Sequence, residues 1–397
     1  MDYVLQANQD AGFVAAKGEI VGFDPGDITV TEVSLTESLL TPGLQTSVVC
    51  QTPIFKSVNF DNIKNRDLRL TLNRKNGSNM NILQRIYRLD NRSYMPINVG
   101  QTQQFIIHAC DGSLLRDASM LVSRSWKCEP AHAVVQEVLG CIGAPVIVDP
   151  SYPGRHYIAE RIHPFQVVAQ QANVALNAGN PDYVHYMTYA NNGGQHHFRS
   201  LQQLCNGQSV RTFWYNNTGV LSNSQYAEGL IDRAISFSFP CDFDLLTDIL
   251  NGIDETGNNI NVASFWNPLT GGAQSLGEVA ACSRGANFKQ SMTNADSASQ
   301  QDTCPTNVEE HLLKRQARMA LLDRDKVALR LTVPWNPEIH AGNLITFEIR
   351  GPNNATQYGS GTYLVSSMTH KILLGGFSTT TFDCVGNTTG HKNIGVG

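Results

Sequence analysis

A histidine, a cysteine and an aspartate stand close together at the end of one predicted strand, as His108, Cys110 and Asp111. A catalytic cysteine needs a histidine base within hydrogen-bond reach and a third group that orients the base. Alternate residues of a strand face the same side, so His108 and Cys110 share a face, whereas Asp111 is placed to cap the helix that follows. We therefore predict a structural role for all three residues.

Three further histidines flank a predicted hairpin: His185 on one strand, and His196 and His197 on the other. Imidazole nitrogens are common metal ligands. Adjacent residues of a strand face opposite sides, so at most one of His196 and His197 pairs with His185, and no carboxylate stands nearby. No metal site is predicted, although the sequence leaves open whether these histidines bind one.

Two carboxylates, Asp242 and Asp244, stand at the end of another predicted strand. A glycosidase needs two carboxylates on either side of an open cleft, but this position favours helix capping. His370 follows a strand without evident partners, which favours a structural residue. The sequence contains no phosphate-binding glycine loop and no nucleophile elbow. We expect no catalytic residues, no cofactor and no enzyme activity.

The composition indicates a protein of permanent assemblies. Charged residues make up 16% of the 397 residues, below the roughly 25% of typical soluble chains. Fewer charges suit lasting subunit contacts, where each buried charge needs a partner. The net charge of −5 comes without a long basic run, which argues against tight or sequence-specific binding of nucleic acid.

Nine cysteines are present and no two have Cys-x-x-Cys spacing, so neither a zinc ribbon nor a thioredoxin-like motif is predicted. The sequence shows no secretion signal and no run of 18 apolar residues. We expect an intracellular chain with reduced thiols and no membrane insertion.

Period-two alternation predicts a β-domain over residues 1–110, and an α/β unit follows. The alternating apolar sets are Val33, Leu35 and Leu39; Leu68, Leu70 and Leu72; and Phe105, Ile107 and Ala109. Helices are predicted near Asp111, Pro130 and Pro164. The first carries an apolar stripe of Leu114, Leu115, Ala118, Leu121 and Val122, and the third carries Phe165, Val168, Ala169, Ala172 and Leu176. An extended linker over 145–157 separates the second and third helices, and strands over 183–189 and 196–200 form the hairpin.

A second β-domain is predicted to be split around an insertion. A strand is expected over 231–239, then a surface insertion rich in glycine, asparagine and serine to about 307, then a helix over 308–322. Strands return over 327–383, where Val327, Leu329, Leu331 and Val333 alternate with polar residues. Residues 110–118 and 241–249 share the pattern Cys-Asp-x-x-Leu-Leu-x-Asp, for which duplication and coincidence both remain open.

Several motifs, taken in order along the chain, resemble the baseplate hub proteins of contractile-tailed bacteriophages, a family related to the hub part of type VI secretion spikes. The closing segment carries the largest set: Leu329, Leu331, Val333, Pro334, Trp335, Asn336, Pro337, Ile339, Gly342, Ile345, Gly361, Tyr363, Val365 and His370. The middle set is His163, Pro164, Phe165, Val168 and Ala172, followed by the aromatic hairpin. A further set begins at Phe237 and Phe239 and runs through Asp242, Leu245, Ile249 and Gly252 to Asn267.

The resemblance implies a mainly β, α+β fold: two tail-tube-like antiparallel β-barrels, a small α/β middle domain and a long insertion in the second barrel. The implied domains are 1–110 for the first barrel, 111–205 for the middle, 206–253 with 323–390 for the second barrel, and 254–322 for the insertion with its terminal helix. Structural motif residues are implied at Asn336, Pro337, Gly342, Gly361, Tyr363 and His370.

The implied function is that of a structural hub in the virion, assembled in the host cytoplasm. Three chains would form a ring with pseudo-sixfold symmetry that joins the tail tube, or a tube-initiator protein, to the central spike. Baseplate wedge proteins would be further partners, and DNA would pass through the ring without sequence-specific binding. One alternative is a virion-associated carbohydrate-binding or carbohydrate-degrading protein, with Trp214, Tyr215 and Trp266 as platform candidates. A plain tail-tube or collar component is a third possibility.

Overall fold

A computed structural model describes residues 14–21, 29–53, 63, 65–74, 79–95, 102–177, 181–190, 193–216, 232–240, 266–267, 272–273, 315, 319, 322, 328–351, 357 and 359–386. The strands are β1 (Val14–Ile20), β2 (Thr29–Ser38), β3 (Gln45–Pro53), β4 (Asp67–Arg74), β5 (Asn79–Met95), β6 (Thr102–Cys110), β7 (Val122–Glu129), β8 (Val146–Val148), β9 (Arg155–Ile162), β10 (Tyr183–Ala190), β11 (Gly193–Ser200), β12 (Ser209–Asn216), β13 (Ser236–Ser238), β14 (Trp266–Asn267), β15 (Gly272–Ala273), β16 (Leu329–Pro334), β17 (Leu344–Arg350), β18 (Gly361–Leu373) and β19 (Thr379–Gly386). The helices are α1 (Gly112–Ser119), α2 (Ala131–Cys141), α3 (Pro164–Val174) and α4 (Leu201–Cys205).

Twelve strands form one large sheet. Its order is β1-β4-β5-β6-β3-β2-β18-β19-β16-β13, with β17 beside β18 and β12 beside β17. The sheet is antiparallel except where β12 runs parallel to β17. The prediction of a mainly β chain with antiparallel sheets is confirmed.

The first half of the sheet, β1-β4-β5-β6-β3-β2, encloses its own apolar core. The predicted alternation places Leu68, Leu70 and Leu72 of β4 inside this core, because successive side chains of a strand point to opposite faces. The two outer strands of this half come close together: a Cβ added to Gly18 of β1 would lie 3.0 Å from Val30 of β2.

The second half encloses a second core, and its pairings return to their starting strand. From β17 they run through β18, β19, β16 and β13. Just before β13, the Ala234 amide donates to the Trp214 carbonyl of β12 at 2.9 Å, and the Trp214 amide donates to Asp232 O at 3.0 Å. Since β12 pairs with β17, the circuit is complete. The core contains Phe213, Leu331, Phe347, Tyr363 and Phe382.

One strand, β18, belongs to both halves. Its first residues pair with β17 and its last residues, 367–373, pair with β2. Its other edge pairs with β19. The two β-regions are therefore joined through hydrogen bonds along a single strand.

The middle of the chain is an α/β unit. β10 and β11 form the predicted hairpin, and β8 adds to it in parallel. The helices predicted at Pro130 and Pro164 are present as α2 and α3. They pack on the hairpin through a core that includes Val135, Leu139, Val168, Ala172, Tyr183 and Phe198.

Five details of the predicted elements were wrong. α1 ends at Ser119, so Leu121 is 47% exposed and Val122 instead begins β7, which pairs with β9. Within α1, Leu115 is 40% exposed. The supposed linker over 145–157 contains β8 and the start of β9, and Leu176 lies beyond the end of α3. The strand expected over 231–239 is reduced to β13, with Ile231 outside the described residues.

Little of the predicted insertion is described. β14 and β15 pair with each other, and the rest of 254–307 lies outside the described residues, as does Cys241 of the repeated cysteine motif. Of the helix expected over 308–322, Arg315 and Met319 are helical. The Arg315 guanidinium donates to Asn173 Oδ1 at 2.9 Å and to Tyr183 O at 3.0 Å, and its burial lowers the pKa of Arg315 to about 10. Arg315 is therefore bound to the middle unit through its side chain.

None of the helices in the described ranges is both long and apolar enough to cross a membrane.

Candidate functional site at the junction of the two β-regions

Four motif residues of the closing segment lie where the first β-region, the middle unit and the second β-region come together: Asn336, Pro337, Gly342 and His370. The loop over 335–343 leaves β16 of the second β-region and leads into β17. Trp335, at its start, is fully buried in the core of the first β-region, beside Ile372 of the shared strand β18. The loop therefore carries a large apolar anchor from one β-region into the other.

Side-chain amides fix the shape of this loop. The buried Asn336 donates its backbone N–H to Thr380 Oγ1 at 2.9 Å, and its side-chain Oδ1 accepts from the Glu338 N–H at 3.0 Å. Asn343 Oδ1 accepts from the His340 N–H at 2.9 Å. Asparagine side chains commonly close turns in this way. Pro337, between the two turns, lines a shallow cleft with His340.

A glycine is required at position 342 by the backbone conformation there and by the closeness of the Tyr186 side chain. Its φ of +87° lies in a region that side chains other than glycine rarely adopt. A Cβ at this position would lie 2.5 Å from the hydroxyl of Tyr186 in β10. Gly342 thus lets the loop approach the middle unit closely.

A buried carboxylate, Glu37 of β2, holds the three parts together. Its Oε1 accepts from the Tyr189 backbone N–H at 2.7 Å and from His340 Nδ1 at 2.9 Å, and its Oε2 accepts from the Ala341 N–H at 2.8 Å. The donors come from the middle hairpin and from the 335–343 loop. A buried charge is costly unless it is paired and hydrogen-bonded, and here both oxygens of the carboxylate have donors.

The charge of Glu37 changes the titration of His340. Burial lowers the pKa of His340, but the charge of Glu37 and the hydrogen bond to it raise this pKa, and the net pKa lies above the usual 6.5. Hydrogen bonding to the charged form favours that form. The junction therefore favours an imidazolium facing a carboxylate.

His370 lies within β18 and not after a strand, as the sequence had suggested. It is fully buried, and its Nδ1 lies 2.8 Å from Thr380 Oγ1, so the partner expected to be missing is present. Burial, with a smaller contribution from His340, lowers the pKa of His370 to about 3. A neutral imidazole packed on the edge of Trp335 at 6.3 Å is the form that this site favours.

The remaining motif residues lie at the other end of β18. Gly361 begins the strand opposite Phe347 of β17. The buried Tyr363 donates its hydroxyl to the Gly359 carbonyl at 2.6 Å. The structural role of all six motif residues stays a prediction.

A charged cluster provides another contact between the two β-regions. Arg211 of β12 lies 3.1 Å from Asp232 and 2.9 Å from Glu338. Arg74 of β4 is buried beside them, and burial together with the nearby Arg211 lowers its pKa. The cluster brings the first β-region, β12 and the 335–343 loop together.

The predicted histidine cluster is a buried hydrogen-bonded pair. His185 Nε2 lies 3.0 Å from His196 Nδ1, and His196 Nε2 lies 3.0 Å from Ser113 Oγ of α1. His197 faces the other way, with its Nε2 2.9 Å from Thr188 Oγ1 and its ring stacked on Tyr186. In the described part of the chain, no group of three histidine, cysteine or acidic residues is arranged to hold a metal ion.

The geometry separates the residues of the first candidate dyad. Asp111 caps α1 by accepting from the Ser113 N–H at 2.7 Å, as predicted. His108 instead lies 3.0 Å from both Ser47 Oγ and Asp90 Oδ2 on neighbouring strands. Burial raises the pKa of the Cys110 thiol to about 11, which opposes the thiolate that a nucleophile requires.

The other candidates are placed only in part. Asp242 and Asp244 lie outside the described residues, as does the side chain of Trp266. Tyr215 packs edge-on against Phe237 at 4.9 Å, beside the second core.

Solved structures share this fold over almost the whole chain. A tail protein from Neisseria meningitidis MC58 gives a TM-score of 0.52 at 9% identity, covering 94% of this chain and 97% of its own. The 43 kDa tail protein of prophage MuSo2 from Shewanella oneidensis gives 0.51 at 11% identity, covering 94% and 96%. The chain has the fold of phage tail proteins.

A type VI secretion component shares the fold as well. The E. coli c3393 protein, which is structurally similar to the T4 bacteriophage tail proteins gp27 and gp5, gives a TM-score of 0.51 at 10% identity, covering 94% of this chain and 77% of its own. Comparisons with protein-family models and with curated proteins gave no match. The resemblance drawn from the sequence motifs is confirmed at the level of the fold.

Proposed function

We propose that this chain is a structural subunit of a phage tail and, more specifically, the baseplate hub. The supporting observation is that its fold is shared with solved tail proteins over 94% of its length. A part of the tail, and thus of the virion, is the proposed location, with assembly in the host cytoplasm.

The hub forms as a homotrimer in this proposal. Most soluble homo-oligomers have closed symmetry, and a three-fold ring is one of the closed forms. Two similar β-regions in each of three chains would present six related surfaces, which match a hexameric tail tube on one side and a trimeric spike on the other. This arrangement requires that both β-regions form tail-tube-like barrels. The first barrel would span 1–110 and the second 206–253 with 323–390, with the middle domain at 111–205 and the insertion at 254–322.

The proposed partners follow from that position in the tail. They are the tail tube or its initiator protein, the central spike and the baseplate wedge proteins, with DNA passing through without sequence-specific contacts. The role is non-enzymatic. The buried Glu37 junction supports a structural role, because a ring component must hold its two β-regions in a fixed relative position.

Electron cryo-microscopy of intact tail particles tests the proposal. The expected result is three copies of this chain in a ring between tube and spike, with the two β-regions of each chain alternating around the axis. A chain located elsewhere in the particle, or present in a number other than three per ring, would refute the hub assignment. Detection of the chain in purified tails, by immunoblotting, separately tests the broader assignment to the tail.

A further inference from the structure

A polar cleft lies between the first β-region and the middle unit, away from the Glu37 junction. Its volume is about 690 Å³, and its walls come from β5, from the first turns of α1 and from the end of the β10–β11 hairpin. The lining residues that matter here are Leu83, Gln84, Asp111, Leu115 and Arg116.

The deep wall of the cleft contains a buried acceptor without a donor. Gln84 is 3% exposed, and its Oε1 has no hydrogen-bond partner among the described residues. Its amide nitrogen is directed elsewhere, toward Leu44 O at 3.5 Å. An unmade hydrogen bond of this kind costs about 1–3 kcal/mol. A donor N–H or O–H of a bound molecule recovers this cost once the Gln84 side chain rotates to expose Oε1 to the cleft, since this atom has almost no accessible surface as it stands.

The exposed wall of the cleft carries an unpaired cation. Arg85 is already paired, since its Nε lies 2.7 Å from Asp67 Oδ1. Asp111 occupies the start of α1 as its cap. Arg116 is exposed, and within the described ranges no carboxylate pairs with it. The cleft can therefore accept an anionic group at Arg116 rather than at the helix start.

The lining also favours one class of ligand over others. No Phe, Tyr or Trp side chain lines the described walls, and the one aromatic ring there, the imidazole of His196, is buried, so neither sugar rings nor bases have a broad stacking surface. Asp67 and Asp111 balance Arg85 and Arg116, so the lining lacks the net positive charge that a phosphate backbone requires. Leu83 and the exposed Leu115 offer apolar contact. An extended peptide supplies N–H donors, an aliphatic side chain and a carboxylate together.

We propose that this cleft binds an extended peptide segment of a neighbouring tail subunit, with an aspartate or glutamate at Arg116 and a donor at Gln84 Oε1. The proposal rests on the proposed function, because it requires that the chain be assembled with other subunits.

The experiment places the photoreactive amino acid p-benzoylphenylalanine at position 115 of the full chain in intact tail particles. Irradiation, digestion and mass spectrometry then identify what lies in the cleft. We expect crosslinks to one protein segment with an aspartate or glutamate within a few residues. Arg116→Glu should lower the yield at least about tenfold, whereas Arg116→Lys should retain most of it. The matched control Arg69→Glu changes an exposed arginine on β4 that pairs with Glu19, and it should leave the yield unchanged.

A second variant distinguishes binding from folding. Gln84→Met removes the unpaired acceptor while keeping the volume, so it should lower the crosslink yield about threefold without lowering the thermal midpoint. A lower midpoint with an unchanged yield would assign Gln84 a structural role only and refute the proposal.

The remaining outcomes are also decisive. Crosslinks to a saccharide or to nucleic acid, no crosslinks from particles that contain the chain, or a yield indifferent to Arg116→Glu would each refute the cleft proposal alone. Absence of the chain from tail particles would refute the proposed function, and the cleft proposal with it.

Discussion

Glu37 of the first β-region and His340 of the second form a hydrogen-bonded ion pair, with Glu37 Oε1 2.9 Å from His340 Nδ1. The carboxylate is fully buried and also accepts two backbone N–H bonds, from Tyr189 and Ala341. Glu37 and His340 are separated by 303 positions in sequence. The pair therefore joins distant segments directly.

Loss of the Glu37 charge should loosen this junction. In Glu37→Gln the new amide NH2 must face one of the N–H donors, which leaves buried donors unsatisfied. We expect a loss of about 3 kcal/mol in the free energy of unfolding, measured by urea denaturation. The control Glu19→Gln removes an exposed carboxylate paired with Arg69, and it should cost less than about 0.5 kcal/mol. Equal losses in the two variants would contradict a special role for Glu37.

The pH dependence of this pair follows from the raised pKa of His340. A histidine whose folded pKa lies above its unfolded value of 6.5 contributes its full stabilisation below pH 6.5 and loses it as the pH rises through the folded pKa. His340→Gln should therefore be less stable than the wild type by about 1–2 kcal/mol below pH 6.5. This difference should shrink as the pH rises through the folded pKa of His340. Urea unfolding at a series of pH values measures this difference.

A double-mutant cycle isolates the contribution of the pair. His197 and His370 also lie near His340, and their pKa values are lowered to about 4 and about 3 by burial. The charge of His340 contributes to both lowered values, so the two chains are compared well above pH 4, where both imidazoles are neutral. In a Glu37→Gln background burial alone acts on His340 and lowers its pKa below 6.5, so the pH dependence of the His340→Gln difference should reverse its sign. A difference that keeps its wild-type sign there would assign the effect to another group.

The sequence contained part of this site. Val33, Leu35 and Leu39 were recognised as an inward-facing set, and Glu37 occupies the intervening inward position. An acidic residue at that phase of a buried strand is the signal that was missed. Its donors could not be predicted, because Tyr189 and Ala341 lie 152 and 304 residues away.

The accuracy of the predicted elements depended on how they are buried. Strand β4 alternates strictly, with Leu68, Leu70 and Leu72 inside, so its period was visible. β7 was missed because it buries only Val122 and Trp126, which are four residues apart, and exposes the rest. Spacing of that kind resembles a helical pattern, which also explains why α1 was extended through Leu121.

Gly342 offers a test of close approach at the junction. Gly342→Ala should destabilise the chain by about 2–4 kcal/mol, because it combines a strained φ of +87° with a Cβ only 2.5 Å from the Tyr186 hydroxyl. The control Gly375→Ala has a similar φ of +72° and no atom within 4 Å of the added Cβ, so it should cost only about 1 kcal/mol. Thermal and urea unfolding measure both variants.

Removal of the Tyr186 hydroxyl should separate the two causes. In a Tyr186→Phe background the nearest atom to the new Cβ is gone, so Gly342→Ala should cost less than in the wild type. It should still cost more than Gly375→Ala, because the ring carbon Cζ lies 3.0 Å from the added Cβ. If the cost of Gly342→Ala is the same in both backgrounds, the contact with Tyr186 does not determine it.

The buried pair His185 and His196 should make the middle unit sensitive to acid. Burial lowers the pKa of His196 to about 4; the charge of Asp111 opposes this shift and the charge of Arg116 adds to it. Burial also lowers the pKa of His185, and the neighbouring His196 and His197 lower it further. Between pH 6.5 and 4 the unfolded chain binds protons that the folded chain excludes, so stability is complete above pH 6.5 and falls as the pH falls.

His196→Gln has no proton to bind and can keep the contacts with Ser113 and His185. Its stability should decline less steeply over this window, by up to about 1.4 kcal/mol per pH unit, as measured by urea unfolding monitored through intrinsic fluorescence. Similar stabilities at pH 8 would show that the variant folds normally, and identical slopes for the two chains would show that His196 does not titrate with folding.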